Sequence, residues 1–513
     1  MKRLIFTGIL LSILKLAAAQ SFVDNALLFS RTPTPGSARI QALGGAQAAL
    51  GGDYSAALSN PAGLGMYNRS EITFSLGNAS NNTDINYGNG PTSDNSSKFS
   101  IPGFSYIQKQ GYTKDKFLGG AFAFTFSRTN NLNTKFAYEG DYNESSLIDN
   151  LIDFANSNAL TPQNLTNGDD YYTLAGLGYG SYLLQDFQDN GSIFYGSVLS
   201  PLPGETRTIL QRESVTRKGS QSQLSFSYGG NYDDVLFFGA TLGISRIRFT
   251  QDQLYTESNF RFSEEPTYNP LRDFQLDENF DIQGSGVNFT VGTIYRPVEF
   301  VQIGLSYVTP TVYDISDVYT ARMDTRWNSF DYDTDGDGLG DITLNNEFAF
   351  FDVPVISEYS LNTPGKLTAG MALMQEYGFI TADVEFVNYG NAKYSSNDIG
   401  VSYDFDNNII SNQYRNVVNV RAGAEFRKDI FRVRLGYALQ PDPYRFEDSI
   451  NRAIQTISGG VGIRQEKFFI DLAFVQASTE GRRIPYTVPG MASPEAVLKI
   501  NNTNIVATVG FPF

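Results

Sequence analysis

The chain has 513 residues and a formal net charge of −16, and it contains neither cysteine nor histidine. The absence of cysteine excludes disulfide bonds and thiol chemistry. The absence of histidine excludes a Ser-His-Asp triad and every histidine-ligated zinc or haem site. An acidic chain is also a poor partner for nucleic acid. Few enzyme mechanisms remain, so we expect a protein that is not an enzyme and requires no cofactor.

Residues 1–19 have the organisation of a secretory signal peptide. Lys2 and Arg3 precede an apolar run at 4–16, and small residues at 17–19 form a cleavage site after Ala19. The run is shorter than the roughly 20 residues of a membrane-spanning anchor, which was the alternative. No cysteine follows it, so a lipid anchor is not expected.

Residues 20–69, which we call the plug segment, lack the alternation of the chain that follows. Small residues dominate 36–52, and Asn60-Pro61-Ala62 comes near the end. The segment is too apolar for a free tail. A barrel of about fourteen strands has a lumen wide enough to need filling. If the rest of the chain forms such a barrel, we expect the plug segment to fold back into its lumen.

From residue 70 onward, many segments alternate between apolar and polar residues with a period of two, which is typical of membrane β-strands. The last of them, 503–513, ends in an aromatic residue, Phe513. The 39 Phe, 30 Tyr and 48 Gly residues suit interfacial girdles and curved strands. One face is apolar enough for lipid, and the other carries charges of both signs, as a lumen does. We predict fourteen strands near 70–77, 99–110, 117–128, 220–230, 235–249, 285–295, 300–308, 365–374, 378–387, 416–426, 431–439, 455–463, 467–477 and 503–513.

The connectors between these strands alternate in length. The long ones are 78–98, 129–219, 250–284, 309–364, 388–415, 440–454 and 478–502. Short periplasmic turns, long external loops and an even strand number are the rule for bacterial outer-membrane barrels. The sequence therefore predicts an all-β fold, a transmembrane antiparallel β-barrel at 70–513, with its longest outer loops near 129–219 and 309–364.

The first long loop contains an apolar stripe at helical spacing. The stripe consists of Leu147, Ile148, Leu151 and Ile152, with Phe154 beside it. A second stretch at 171–187 is rich in aromatic residues and leucine. Helices of this kind on an outer loop are candidates for docking a hydrophobic ligand. The alternative is that they pack on each other as a lid.

The second long loop contains an acidic motif that matches the first nine positions of a Ca²⁺-binding loop. Its candidate ligands are Asp333, Asp335, Asp337 and Asp341. Leu344 stands where the bidentate glutamate of such a loop is expected. We expect a weak structural Ca²⁺ site here. The alternative is a solvated acidic turn.

The residues at 42–46 and 57–63 resemble the hatch of the FadL/TodX family of outer-membrane transporters for long-chain fatty acids and other hydrophobic compounds. Similar fragments follow in order at 292–297, 303–307, 363–367, 421–426, 435–438 and 459–462. Each fragment is weak alone, but their order covers nearly the whole mature chain. The resemblance implies a barrel with its hatch in the lumen. The implied hatch residues are Gly44, Gly45, Asn60, Pro61 and Ala62.

The resemblance also implies a mechanism. A hydrophobic molecule docks among the outer loops, moves into an apolar pocket in the lumen, and leaves through an opening in the wall when the hatch shifts. Gly119 and Gly120 in the third strand are candidates for that opening, because paired glycines weaken a strand. The alternative is that they are fitted to barrel curvature.

Several charged residues are predicted to face the lumen. A ligand carboxylate would favour an arginine nearby, and the candidates are Arg421, Arg432 and Arg434. The alternative is that these inward charges pair across the lumen and anchor the hatch.

The expected partners are a hydrophobic small molecule, the lipid and lipopolysaccharide of the outer membrane, and the barrel-assembly machinery during biogenesis. We expect a monomer. A rival interpretation is a binding or assembly protein, such as a secretion-associated shuttle or an adhesin, that acts through its outer loops.

Overall fold

The computed structural model describes residues 15–513, apart from 89, 112–115, 190, 264–268 and 334–338. In chain order the strands are β1 (Glu71–Tyr87), β2 (Gly90–Lys109), β3 (Phe117–Asn131), β4 (Thr134–Tyr142), β5 (Gln185–Asp189), β6 (Ser192–Gly196), β7 (Arg207–Tyr232), β8 (Leu236–Phe262), β9 (Leu271–Val298), β10 (Val301–Val308), β11 (Val312–Tyr332), β12 (Ile342–Phe350), β13 (Val355–Asn362), β14 (Lys366–Gln375), β15 (Gly378–Asn388), β16 (Lys393–Ser395), β17 (Asn416–Lys428), β18 (Phe431–Gln440), β19 (Ile454–Arg464), β20 (Phe469–Arg483) and β21 (Ala496–Pro512).

The helices of the described residues are short. They are α1 (Lys15–Ser30), α2 (Ala38–Ala42), α3 (Leu147–Ser157), α4 (Pro162–Asn167), α5 (Leu174–Gly180) and α6 (Asp404–Gln413), with 3-10 turns at Tyr54–Leu58, Pro61–Met66, Asp169–Tyr172 and Tyr389–Asn391. None of them has the length and apolar character needed to cross a membrane. Helix α1 runs across the predicted cleavage site after Ala19, and cleavage there stays a prediction.

Fourteen strands close into an antiparallel barrel. Their order around the wall is β1, β2, β3, β7, β8, β9, β10, β14, β15, β17, β18, β19, β20 and β21, and β21 pairs with β1 to close the ring. Each predicted strand overlaps one of these fourteen. The predicted barrel and its strand number are therefore confirmed.

The wall has an apolar outer face and a polar inner face. On β17, exposed Val418 and Val420 alternate with buried Asn419 and Arg421. The same alternation runs through the neighbouring strands because successive side chains of a strand point to opposite faces. The outward apolar side chains form the lipid-facing band of a membrane-spanning barrel.

Much of what was predicted as outer loop is strand. The β1–β2 ladder continues to the pair Tyr87 and Gly90, so 78–98 is a hairpin. Strand β8 continues to Phe262, and β9 begins at Leu271, so most of 250–284 is strand. The region 309–364 contains β11, β12 and β13. The loop boundaries were wrong because these outer strands lack a lipid-facing side, and so the alternation that identifies a membrane strand is absent from them.

Two hydrophobic cores fill the barrel, and the second of them includes the first part of the plug segment. In the outer core, α3 and α5 pack against the extensions of β8, β9 and β11. In the inner core, residues of α1 pack with α6 and with tyrosines of the outer wall. The remainder of the plug segment, from residue 38 onward, contacts the inner wall.

Candidate functional site

The plug segment forms hydrogen bonds with strands on several sides of the wall. The Ala38 amide donates to Thr508 on β21 at 2.8 Å. The Gly44 amide donates to Ser458 on β19 at 3.1 Å. The Ala48 amide donates to Asp383 on β15 at 2.8 Å. Because these partners belong to different parts of one closed wall, the segment between 38 and 48 lies inside the ring.

Asn60-Pro61-Ala62 begins a 3-10 turn that is seated on the wall. The Asn60 side chain accepts from the Ala62 amide at 3.2 Å, as an N-cap residue does. Pro61 follows at the first position of the turn, where a missing N–H costs nothing. The Asn60 amide group also donates to the carbonyl of Ala48 at 2.6 Å and to that of Thr293 on β9 at 3.0 Å. One buried side chain therefore joins two parts of the plug segment to the barrel.

Gly44 and Gly45 form the turn that follows α2. Their φ angles are +65° and +80°, a region that L-residues with side chains seldom adopt. A Cβ atom on Gly45 would lie 1.9 Å from the Cγ2 atom of Thr34. The two glycines therefore set the path of the plug segment between Ala42 and Ala46.

The wall brings glycines to the points where the plug backbone is nearest. A Cβ atom on Gly304 of β10 would lie 1.9 Å from the Ala48 carbonyl oxygen, and one on Gly292 of β9 would lie 2.0 Å from Asn60 Oδ1. A third such contact joins Gly436 of β18 to Gly44. Glycine at these inward positions leaves room for the plug backbone and for the Asn60 side chain, which any side chain on the wall would block.

Two of the three arginines named as ligand-carboxylate candidates are paired with wall carboxylates. Arg434 donates to Glu425 at 2.6 Å and to Asp471 at 2.5 Å. Arg421 donates to Glu385 at 2.8 Å. These contacts match the alternative, in which the inward charges pair within the lumen. Because buried charges need such partners, Arg434 has no side-chain surface to offer a ligand in this conformation.

The same network reaches the plug segment. Glu425 lies 3.7 Å from the Arg39 guanidinium of α2. Arg432, the remaining candidate, donates to the carbonyl oxygens of Asp429 and Phe431 at the β17–β18 turn and forms no ion pair among the described residues. A carboxylate-binding role for Arg421, Arg432 or Arg434 stays a prediction.

A cavity of about 130 Å³ lies between the plug segment and the inner wall. Plug residues Phe29, Ser30 and 32–35 form one side of it. The wall side is mostly polar and includes Gln223, Ser245, Asn288, Thr311, Lys366, Asp383, Glu385 and Arg421. The resemblance implied an apolar pocket, so this polar lining differs from the expectation. Space here suits water or the polar end of an amphiphile.

Three tyrosines form an aromatic box around Phe22 of α1. The ring of Phe22 lies 5.2 Å from Tyr359, 5.3 Å from Tyr394 and 5.3 Å from Tyr403, edge to face in each case. The Tyr394 hydroxyl donates to the Phe22 carbonyl at 2.9 Å. Sequence patterns missed this box because its tyrosines come from β13, β16 and the connector before α6.

The wall is interrupted between β2 and β3. Their ladder runs from Lys109 and Ala121 up to Gly103 and Ser127 and then stops. Pro102, the next residue of β2, has no N–H to donate. Above this point β2 pairs only with β1 among the described strands, while β3 and β4 pair with β7.

Side chains bridge the gap in place of a ladder. The Lys98 ammonium donates to Asn133 Oδ1 at 3.1 Å, and the Ala137 amide donates to Asp94 at 2.7 Å. Contacts of this kind can open without unpairing a strand. The sequence signal for the gap was Pro102, since proline inside a central strand marks an edge or a bulge.

Gly119 and Gly120 lie elsewhere. They are at the lower end of β3, where Gly119 has a φ of +97° and the register with β7 shifts between Phe117 and Gly119. A Cβ atom on Gly120 would lie 2.3 Å from the Gly229 carbonyl of β7. They form a bulge on the β7 side of the strand, whereas the gap is on the β2 side and higher up.

The predicted loop helix exists as α3, and Ser146 caps it. The Ser146 hydroxyl accepts from the Ile148 amide at 3.1 Å, and Asp149 accepts from the Ser146 amide at 2.8 Å. Leu147, Ile148 and Leu151 are buried in the outer core, and Ile152 and Phe154 are partly buried against it. This arrangement matches the lid alternative. Docking of a ligand on these five side chains stays a prediction.

The acidic motif is only partly within the described residues. Asp335 and Asp337 lie outside the described residues. Asp333 and Asp341 are described, on either side of the stretch 334–338. The backbone of the flanks is paired, since the Asp341 amide donates to the Tyr332 carbonyl at 2.9 Å. The Ca²⁺ site stays a prediction.

No protein-family model matches the sequence, and no curated protein matches it. Solved structures do match. A FadL homologue of Pseudomonas aeruginosa is similar with a TM-score of 0.56 over 94% of this chain and 99% of that chain, at 12% identity. A deltaS2 mutant of the TodX monoaromatic hydrocarbon channel is similar with a TM-score of 0.50 over 94% and 99% of the two chains, at 13% identity. The chain therefore has the fold of the FadL-like barrels of the bacterial outer membrane.

Proposed function

We propose that the protein is an outer-membrane channel for passive uptake of hydrophobic small molecules, with long-chain fatty acids as the first class to test. The cargo docks among the outer loops and enters the lumen. It leaves sideways through the wall when the plug segment shifts as a hatch. The observation that carries this proposal is the interrupted β2–β3 ladder beside a lumen occupied by the plug segment.

The physical reason for a side exit is the cost of exposing an acyl chain to water. Burial of each methylene contributes about 0.8 kcal/mol, so a hydrophobic cargo is poorly served by a water-filled pore. Exposed Phe99 and Ile101 lie on β2 at the gap. A cargo that passes between β2 and β3 can move from protein to lipid without crossing water.

The lumen supports a cargo with a polar end. Arg421 lines the cavity, and its Nε atom has no hydrogen-bond partner among the described residues. The Lys366 ammonium, which also lines the cavity, donates to Thr32 of the plug segment at 3.0 Å. A carboxylate is the group that these cations would hold. Plain aromatic hydrocarbons, the cargo named for TodX, are the second class to test.

The test closes the gap reversibly. The chain has no native cysteine, so Lys98→Cys with Asn133→Cys provides a unique thiol pair across the gap. Cells that lack their own fatty-acid channel would carry this variant, and uptake of labelled oleate would be measured before and after a short bis-methanethiosulfonate cross-linker. We expect the cross-link to abolish uptake and a reductant to restore it.

The matched control is Ser214→Cys with Leu254→Cys. These residues are directly opposite in the intact β7–β8 ladder, so a cross-link there leaves the gap free. Uptake that survives the Lys98–Asn133 cross-link would contradict the side exit. No uptake of oleate or toluene by the inserted, unlinked barrel would contradict the channel itself.

The rival function, binding or assembly through the outer loops, rests on a different observation. The outer strands and α3 to α5 share a hydrophobic core of their own outside the membrane band. We call these outer strands and helices the outer cap. Passive passage through the barrel does not itself require an outer cap of this size. If uptake is absent, this cap is the surface on which to seek a partner.

A further inference from the structure

The outward face of the wall carries a group of arginines just above the lipid-facing band. On β8, every second residue faces outward. Exposed Leu242 and Ile244 are followed on this face by exposed Arg246 and Arg248. On β3, exposed Phe122 and Phe124 are followed by Phe126 and then Arg128. In both strands the apolar side chains stop and arginines begin.

The strand register places these arginines together. Phe126 is opposite Leu224 of β7, which is opposite Ile244, and this row is apolar throughout. One step outward along the strands, Arg128 is opposite Ser222, which is opposite Arg246. We call Arg128, Arg246 and Arg248 the arginine patch. Small side chains, Ser220 and Ser222 of β7, lie between its members.

The arginine patch forms no ion pair with the residues that the structure describes. Among the described residues, Arg246 and Arg248 form no hydrogen bond or ion pair through their side chains, and the Nε atom of Arg128 is buried without a hydrogen-bond partner. Outward cations elsewhere on β7 and β8 are paired, since Arg212 of β7 contacts Glu139 and Arg261 of β8 lies 2.7 Å from Asp141. The arginine patch therefore carries positive charge that no ion pair among the described residues offsets.

The spacing suits phosphate groups. Adjacent strands lie about 4.8 Å apart and residues two apart along a strand about 7 Å. The Cα atoms of Arg128 and Arg246, two strands apart, are thus about 10 Å from each other, and Arg248 is two residues from Arg246 on β8. Arginine binds phosphate oxygens with two parallel hydrogen bonds. The three guanidinium groups can together bind one phosphate group, or they can bind two phosphate groups of the same headgroup.

We infer that the arginine patch is a seat for the phosphorylated headgroup of an outer-leaflet lipid. The position decides between a lipid and a soluble anion: the apolar row beneath the patch would pack against the acyl chains of the molecule whose phosphates the arginines hold. The acidic outward residues Asp281 and Asp314 lie to one side, on β9 and β11. They would orient the headgroup toward β3 and β7.

The experiment measures lipid binding by the full mature barrel in a neutral detergent, by native mass spectrometry at several salt concentrations. The probes are bisphosphorylated lipid A, the same lipid after enzymatic removal of its phosphates, and inorganic phosphate as a competitor. We expect Arg246→Ser with Arg248→Ser to weaken binding of the bisphosphorylated lipid by about tenfold or more, since each surface cation contributes measurably to binding anionic lipid. The dephosphorylated lipid should bind both proteins equally weakly.

The matched control is Arg212→Ser with Arg261→Ser, which removes the same charge from β7 and β8 at positions that are already paired. It should leave lipid affinity within about twofold of the unmodified protein, because compensated surface pairs contribute little. Equal loss in both double variants would show a general charge effect and overturn the inference. Unchanged lipid affinity in the Arg246/Arg248 variant would also overturn the inference, provided that heat-resistant migration on a gel shows the barrel to be folded. Full displacement of the bisphosphorylated lipid by millimolar inorganic phosphate would overturn it as well.

Discussion

The side-chain amide of Asn60 donates a hydrogen bond to the main-chain carbonyl of Thr293, at 3.0 Å. Thr293 is part of β9, and its hydroxyl donates in turn to the Phe237 carbonyl of β8 at 2.9 Å. The plug segment is thereby tied to two adjacent strands through one fully buried asparagine.

Replacement of Asn60 should loosen the plug segment without unfolding the barrel. Asn60→Ala leaves the Ala48 and Thr293 carbonyls without this donor, and a buried polar group left unpaired costs about 1–3 kcal/mol. Hydrogen exchange measured by mass spectrometry should show faster exchange at 40–66 and unchanged exchange in β15 to β20. Asn86→Ala, at an exposed position of β1, is the control. Unaltered exchange at 40–66 would show that the other wall contacts suffice.

A methyl group at Gly304 should displace the plug segment. Gly304→Ala would place Cβ 1.9 Å from the Ala48 carbonyl oxygen, a distance at which something must move. We expect single-channel conductance in planar bilayers to rise and the plug segment to become sensitive to protease. At Gly481 the nearest atom to an added Cβ is Ile500 Cδ1 at 4.0 Å, so Gly481→Ala is the control. Equal conductance in the two variants would contradict close packing of Ala48 against Gly304.

The connector between β18 and β19 should lose order only in strong acid. Hydrogen bonds from Arg452, at 2.8 and 2.6 Å, lower the pKa of the Asp448 carboxyl from its usual 3.8 to about 2. Because this folded-state pKa lies below the unfolded one, the stabilisation is present above about pH 4 and is lost as the pH falls through about 2. The Arg452 carbonyl also accepts from Arg31 of the plug segment at 2.8 Å.

The measurement is the mobility of a spin label at Phe446→Cys, an exposed position of that connector. Mobility should rise between about pH 3 and pH 2 in the parent protein. With Asp448→Asn added, the label should be mobile at neutral pH. A label that is equally immobile in both proteins at every pH would show that the Asp448–Arg452 pair does not order the connector.

Truncation of Leu151 should destabilise the outer core. Leu151 is 1% exposed and packs in the core with α5, and a buried Leu→Ala change costs about 2–5 kcal/mol. Hydrogen exchange at 147–199 should accelerate, with a smaller effect for Ile152→Ala, which is only partly buried. Reduced cargo affinity with unchanged exchange would instead favour ligand docking on α3.

The sequence was sufficient to predict the barrel. Period-two alternation, as in Val418 to Arg421, reports which side of a strand faces lipid, and this pattern needs no knowledge of the partner strand. Gly44, Gly45 and Asn60-Pro61-Ala62 were singled out only through the family resemblance, and the structure added their turn geometry. Above the membrane the alternation disappears while the backbone ladder continues, so the outer strands were predicted as loops.

The tertiary structure decided which residues meet. Arg434 was predicted to face the lumen, but whether it meets a ligand or a carboxylate depended on Glu425 and Asp471, which lie on two other strands. The gap above Gly103 and the arginine patch likewise follow from the register of β3 with its two neighbours. A single sequence records the face of each residue, because that is a local property of the strand. Pairing across the barrel joins residues distant in sequence, and only the closed wall determines it.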